Sequence, residues 1–366
     1  MKFIQPLSAT LVTLLLLTAC GGGGGGTAAL TGSTGLGSTV TTGVSITQTN
    51  APDVAAAALH GINAASGSSD GAASTPPLIT GVAVNTRSGH FSLAGVVTDQ
   101  LARVGALQAS PSAGIVGAAV SDNVSCTSGG SASVFANLAD PAFAVLTVGD
   151  TLSVTFFLCN ETGVVLDGAL AIVVATIAGS TTFDGLPPFD ITLGTTFNGL
   201  RALDGTLYSY ASGDMQLRLA DDGAGNVNAV ISGAALDTAY NSQYPTETAY
   251  RDQKLTTYAF DLQGNDNTGD YTIDLDGTLE SRDIDGTITF TTTQPGSAAF
   301  IGNDFVGNGD PVSGTLLVSS LFGGLSQLKV IAQSNGVDVE LQVDADGDDV
   351  FEVTGIMTTW AALDAL

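Results

Sequence analysis

Histidine is nearly absent from this chain of 366 residues, which contains only His60 and His90. Both precede the segment that we predict to be the main folded domain. Ser-His-Asp and Cys-His catalysis need an imidazole as general base, and many zinc sites need one as ligand. The sequence therefore argues against these chemistries in that domain.

Basic residues are also scarce. Nine Lys and Arg residues face 35 Asp and Glu residues, which gives a formal net charge of −26 at pH 7. Binding to nucleic acid or to anionic lipid needs clustered cations that contact phosphate. We therefore expect no nucleic-acid partner, and the charge favours cations, basic partners or simple solubility.

The chain lacks an apolar run of the roughly 20 residues that a membrane-spanning helix needs. A shorter run, Leu11–Leu17, follows Lys2 and ends in Leu17-Thr-Ala-Cys20. This order is typical of a signal peptide, which we place at residues 1–19. The last four residues resemble a bacterial lipobox, so we expect Cys20 to carry the lipid (palmitate-type) anchor. An Asp directly after the cysteine would resemble an inner-membrane retention signal, and the residue there is Gly21, so an outer-membrane location is favoured. The alternative is an ordinary secretory signal.

Large apolar residues are few between Cys20 and about residue 76, where Gly21–Gly26 opens a stretch biased to Gly, Ser, Thr and Ala. Such a composition buries too little surface to offset its chain entropy. We predict that residues 20–76 form a flexible, disordered tether. The exception is Asp53–Ala65, where Asp53 could cap a short Ala-rich helix.

Only three cysteines are present, and lipidation of Cys20 leaves Cys126 and Cys159. An exported protein folds in an oxidising compartment, so a disulfide between them is expected. A reactive thiol or a metal-binding pair is the alternative.

The remaining sequence divides at about residue 120. Apolar residues recur at helical spacing within Ser92–Gln108, so residues 77–120 are predicted to be a helical lead-in. Residues 121–366 are predicted to be a β domain, because apolar and polar residues alternate in several segments. These segments are Thr151–Leu158, Met215–Leu219, Tyr258–Leu262, Tyr271–Leu275 and Val337–Val343.

Gly, Asp and Asn lie between these segments, as expected for tight turns. The predicted fold class is all-β: an antiparallel meander that forms a barrel, a sandwich or a curved open sheet, with a short N-terminal helix.

Several short motifs resemble a group of poorly characterised proteobacterial lipoproteins that carry a lipobox and a poly-Gly tether. The motifs are Cys126-Thr-Ser-Gly-Gly130, Gly149-Asp-Thr before Cys159, Asp167-Gly-Ala-Leu170, and the Asp-rich end from Val343 to Trp360. The resemblance covers about residues 115–366. It implies a disulfide and a β domain, and it supplies no catalytic residue.

The Asp-rich end contains a candidate metal site. Calcium loops place oxygen ligands at alternate positions of a tight turn. Asp344, Asp346 and Asp348 would be positions 1, 3 and 5, the Val350 carbonyl position 7, and Glu352 position 9. Position 6 departs from the pattern because it is Asp349 instead of Gly. The alternative is a plain hairpin turn with solvated carboxylates, so calcium is expected only as a possible cofactor.

A cluster of tyrosines is the second candidate site. An exposed row of them could bind a glycan or an envelope protein, although Tyr is also a common strand residue. The row consists of Tyr208, Tyr210, Tyr240, Tyr244 and Tyr250. Trp360 is interpreted as a core anchor.

No motif identifies an activity, and we do not expect an enzyme. The predicted function is a structural or binding role for a lipoprotein anchored in the outer membrane. One alternative is a glycan hydrolase that uses two carboxylates, with Glu247 or Glu280 beside an Asp. The other is a carrier of apolar ligands, which would need an open apolar cavity inside the sheet.

Overall fold

The computed structural model describes residues 43–66, 93–94, 96–97, 100–101, 119–140, 145–161, 164–180, 187–204, 207–241, 251–303, 309–321 and 325–366. The predicted signal peptide, Cys20 and the poly-Gly segment lie outside these residues.

A single antiparallel sheet of fifteen strands dominates the described chain. Nearly every strand pairs with its neighbours in sequence, so the sheet is the meander that the turn-rich sequence predicts. The strands are β1 (Ala119–Ser125), β2 (Ser131–Asn137), β3 (Thr151–Glu161), β4 (Val164–Gly179), β5 (Phe189–Asp204), β6 (Leu207–Asp221), β7 (Asn226–Asn241), β8 (Arg251–Asn265), β9 (Tyr271–Ser281), β10 (Gly286–Thr291), β11 (Ala298–Gly302), β12 (Ser313–Ser320), β13 (Gln327–Ala332), β14 (Asp338–Asp344) and β15 (Val353–Thr359).

The one irregularity in this order is that β10 and β11 share a single place in the sheet. Both pair with β9 on one side and with β12 on the other. The segment between them, residues 292–297, therefore interrupts what is otherwise one strand.

The long central strands are bent by β-bulges. The pairing register shifts between Phe156 and Cys159 in β3, between Phe197 and Leu200 in β5, and between Thr256 and Ala259 in β8. A bulge bends its strand and increases the local twist. Bulges in several neighbouring strands therefore curve the sheet, which agrees with the curved-sheet form of the predicted fold.

The predicted alternation sets which side chains face the interior. Leu152, Val154 and Phe156 are all at most 3% exposed, as the period of two requires. Leu158 breaks the pattern because it takes a left-handed backbone conformation (φ 47°) at a bulge, and Cys159 is buried in its place. Val337 is also outside the pattern: it precedes β14 and is 55% exposed.

Helix α1 (Ala51–Ser66) packs against the sheet. It contacts strands β7, β8, β9, β13 and β14, and most of its described side chains are buried. A helix that is covered on nearly every side belongs to a core. Ala-rich composition permits this close approach: a Cβ added at Gly61 would lie 2.9 Å from Leu279 Cδ1.

The predicted tether is wrong where it includes α1. The Ala-rich helix forms, but it begins at Ala51, and Asp53 lies in its first turn instead of at the cap. Residues 43–66 are part of the fold; Ile46 is fully buried and its N–H donates to Ser326 Oγ (2.9 Å). A low content of large apolar residues did not prevent folding, because the sheet supplies the opposing surface.

A short helix, α2 (Trp360–Asp364), follows β15, and the Thr359 hydroxyl accepts the Ala362 N–H at its start. In the predicted lead-in, Leu93, Ala94, Val96 and Val97 are helical and buried. No helix in the part of the chain that the structure describes is long and apolar enough to span a membrane.

Candidate metal centre

The Asp-rich end forms the loop between β14 and β15. The strands pair up to Val343 and Val353, so both ends of the loop are held by the sheet. Asp344, Asp346, Asp348 and Glu352 each place a carboxylate oxygen within 4.8 Å of the others. The loop thus brings together the four carboxylates that the sequence predicted, and this group could hold a metal ion.

Asp344 shapes the loop. Its side chain is fully buried and accepts three backbone N–H groups, from Asp346 (3.2 Å), Gly347 (2.6 Å) and Asp349 (2.9 Å). Donors from the turn therefore compensate for the burial of this carboxylate. This structural role was not foreseen in the sequence, although an Asp followed three residues later by Gly is typical of a turn.

The other three carboxylates are exposed. Asp348 Oδ1 accepts the Val350 N–H (2.9 Å), and Glu352 Oε2 accepts the Ala345 N–H (3.2 Å). The pKa of Asp346 is raised above its ordinary value, first by the negative charge of Asp348 and further by partial desolvation within the loop and by the negative charge of Glu352. The raised pKa is the signature of like charges held together, which a bound cation would relieve.

The departure at position 6 of the loop is accommodated by the backbone. Asp349 adopts a left-handed conformation (φ 66°), the conformation for which a glycine is usual at that position. Asp is one of the few other residues that tolerate it. The Asp349 carboxylate lies outside the four-carboxylate group.

The other acidic turns are organised differently. The Asp222 carboxylate accepts hydrogen bonds from the Ala224 N–H, the Asn226 N–H and the Asn226 side chain, which lower its pKa. The Asn267 side chain donates to the Ala224 carbonyl (2.8 Å), so the β6–β7 and β8–β9 turns support each other. These acids serve as turn formers.

The predicted exposed tyrosine row is wrong at its first member. Tyr208 is 2% exposed and belongs to the core, because β6 turns it towards the interior. Tyr210 is partly exposed. The Tyr240 side chain, Tyr244 and Tyr250 lie outside what the structure describes, so the rest of the row stays a prediction.

Cys126 and Cys159 form the expected disulfide, with 5.4 Å between their Cα atoms. It joins the start of the β1–β2 turn to β3, and backbone hydrogen bonds between Ser128 and Asn160 (2.9 Å) and between Asn160 and Gly129 (2.8 Å) reinforce that connection.

Glu280, one of the acids considered for hydrolysis, lies on β9 opposite Lys254 of β8, which in turn is opposite Asp237 of β7. A cation thus separates the two carboxylates. Glu247 lies outside the described residues.

Comparison with protein-family models, with curated proteins and with solved structures finds no match to this chain. The resemblance to proteobacterial lipoproteins therefore stays a prediction.

Proposed function

We propose that the protein is a lipid-anchored component of the outer membrane with a structural or binding role, and that calcium stabilises its folded domain. The observation that carries the proposal is the group of four carboxylates in the β14–β15 loop.

Calcium suits this group better than other metals. All the side-chain ligands are oxygens, and the group includes neither Cys nor His, which zinc prefers. Calcium accepts several carboxylates in an irregular geometry, whereas magnesium demands a near-octahedral arrangement and keeps most of its water. Calcium sites of extracellular modules are weak, and millimolar calcium is therefore the concentration at which to test this group.

The anchoring part of the proposal is supported by the lipobox-like end of the predicted signal peptide and by the Cys126–Cys159 disulfide. Disulfides persist in exported proteins and are rare in reducing compartments.

Thermal melting of residues 21–366 tests the calcium site; the fragment contains the whole compact unit Gly32–Leu366. We expect the melting temperature to rise by about 2–4 °C between EGTA and millimolar calcium, because an ion that binds only the folded state stabilises it. An unchanged melting temperature would contradict the proposal.

Asp346→Asn is the informative variant. Without calcium it should melt at or above the temperature of the unsubstituted protein, because it removes repulsion from Asp348 and Glu352. With calcium the variant should melt at a lower temperature than the unsubstituted protein, because a calcium ligand is lost. Asp349→Asn is the matched control, since it removes one charge from the same loop and should keep the calcium response. Asp344→Ala is unsuitable, because loss of its backbone hydrogen bonds destabilises the loop with or without a metal.

A further inference from the structure

The end of the sheet that carries the acidic loop also exposes large apolar side chains. Leu321 follows β12, Leu325 precedes β13 and Val350 lies in the β14–β15 loop, and these side chains are 43%, 74% and 59% exposed. Leu325 is more exposed than any other large apolar side chain in the part of the chain that the structure describes. A single exposed leucine is ordinary, but several at one end of a domain are typical of a contact surface.

The β12–β13 and β14–β15 connections lie side by side. Strand β13 pairs with both β12 and β14, and Gln327 at its start is opposite Asp344. A Cβ added at Gly347 would collide with the side chain and the backbone of Leu325, so Leu325 rests on the acidic loop. The exposed apolar side chains and the four carboxylates therefore belong to one surface. We call this surface the tip; it consists of Leu321, Leu325 and residues 344–352.

The chain enters the fold beside the tip. Gly43, at the start of the described residues, forms a parallel bridge with Thr287 of β10. The Thr287 carbonyl also accepts the N–H of Leu321 (3.3 Å), and the Ile46 N–H donates to Ser326 Oγ (2.9 Å). The proposed lipid anchor is attached through the segment that precedes Gly43, so it would hold the domain by this end.

A bound calcium ion would make the tip compatible with phosphate headgroups. Without a metal ion its carboxylates repel them, and the chain has few basic side chains to offset this repulsion. Asp346, Asp348 and Glu352 are exposed, so an ion held by the group would face solvent. Calcium takes roughly six to eight oxygen ligands, so lipid phosphate oxygens could replace water on that side. The rest of the acidic surface would still be repelled, which confines the contact to the tip.

We propose that the tip docks on the lipid surface to which the domain is anchored. The side chains of Leu321, Leu325 and Val350 enter the interfacial region, and the calcium ion lies between the carboxylates and the lipid phosphates. This proposal rests on the anchor and the calcium site of the proposed function. Beyond them it assigns an orientation: the tip faces the membrane, and Val337, which precedes the opposite end of β14, faces away.

Co-sedimentation with lipid vesicles tests the docking. Residues 21–366, the mature chain without its lipidated cysteine, are mixed with vesicles of phosphatidylcholine and phosphatidylglycerol. We expect the partition coefficient to rise about tenfold between EGTA and millimolar calcium, because the ion removes repulsion while the apolar side chains leave water. Equal binding under the two conditions, or no binding in either, would overturn the proposal.

Variants of the exposed side chains locate the contact. Leu325→Ser and Val350→Ser should each weaken calcium-dependent vesicle binding about threefold to tenfold, because each removes an apolar group from the contact. Val337→Ser is the matched control, since Val337 is as exposed as Val350 but lies at the other end of β14. It should bind as the unsubstituted protein does. An equal loss in all three variants would contradict docking through the tip.

Tryptophan fluorescence provides a second measurement of the orientation. In Leu325→Trp, vesicles with calcium should shift the emission to shorter wavelength, whereas Val337→Trp should show no shift. A shift in both variants would contradict the assigned orientation.

The melting experiment separates this proposal from the proposed function. A calcium-dependent rise in melting temperature without vesicle binding would overturn the docking and leave the calcium site intact. An unchanged melting temperature would overturn the calcium site, and the calcium-dependent docking with it.

Discussion

At the scale of single residues, backbone conformations that only glycine adopts easily determine where the sheet can bend. Gly168 in β4 has φ of 99°, and a Cβ added there would lie 2.2 Å from the Gly199 carbonyl oxygen. We expect Gly168→Ala to destabilise the protein by about 2 kcal/mol or more, because backbone strain and a steric clash act together. Urea denaturation measures the loss.

Gly149→Ala is the control for this prediction. Gly149 also has a positive φ (91°), but nothing lies within 4 Å of its added Cβ. It should lose only the strain term, about 1–2 kcal/mol. Equal losses in the two variants would show that the contact with Gly199 yields easily and does not constrain the bulge.

A half-buried carboxylate gives a second prediction. Asp237 Oδ1 has no hydrogen-bond partner among the described residues, and burial, opposed by Lys254 and assisted by Glu280, raises the Asp237 pKa above 3.8. Because the folded-state pKa is raised, the charged form opposes folding at neutral pH. That cost is relieved as the pH falls through the raised pKa towards 3.8.

Asp237→Asn should therefore be somewhat more stable at pH 7 and should show a flatter dependence of stability on pH on the acid side. Urea denaturation at a series of pH values tests this. A variant that is less stable at pH 7, with an unchanged slope, would mean that the Lys254 attraction outweighs the burial.

At the scale of secondary-structure elements, α1 is the clearest case for experiment. Its contacts with β7–β9 and with β13 and β14, which are distant from one another in the strand order, indicate that the sheet needs it as a core. We expect deletion of residues 21–42 to leave a cooperative melt, and deletion of residues 21–66 to abolish it, because the second deletion exposes the apolar interior. Thermal melting with a dye that binds apolar surface compares the two. A cooperative melt in the longer deletion would show that α1 is dispensable.

Sequence patterns also predict best at the scale of secondary-structure elements. Alternation predicted the strands around Leu152, Leu217 and Ile273, because half-buried strands impose a period of two. It failed at Leu158, where a bulge shifts the period, since bulge positions depend on the neighbouring strand.

The sequence did not predict that α1 is buried, for a related reason. Ala55–Ala58 bury little area each, so composition alone suggested a tether. The decisive contribution is the surface of distant strands, which no local pattern contains. The four carboxylates of the metal centre were predictable because they lie in one short loop. The small cavity beside α1 was not predictable, because its lining joins residues from Leu59 to Asp364.

At the scale of the whole molecule, the folded part begins close to the proposed anchor. Residues 43–66 belong to the fold, so only residues 20–42 of the predicted tether of residues 20–76 separate Cys20 from it. A Gly-rich coil of that length has a root-mean-square span of roughly 25 Å. We therefore expect an anchored domain to stay near the membrane surface, where its strongly negative net charge also keeps it from lying on anionic lipid.

Metabolic labelling with palmitate, followed by membrane fractionation, tests the anchor on the full chain. We expect labelled protein in the membrane fraction, and for Cys20→Ser we expect an unlabelled protein that leaves that fraction, because the lipidated thiol would be missing. The double variant Cys126→Ser, Cys159→Ser is the matched control. It loses the disulfide, and with it about 3–4 kcal/mol of stability, but it should still be labelled. Retention of the label in Cys20→Ser would place the lipid on another residue, and absence of label from the unsubstituted chain would remove the anchor from the proposed function. The calcium site would be untouched by that result, since it depends only on the β14–β15 loop.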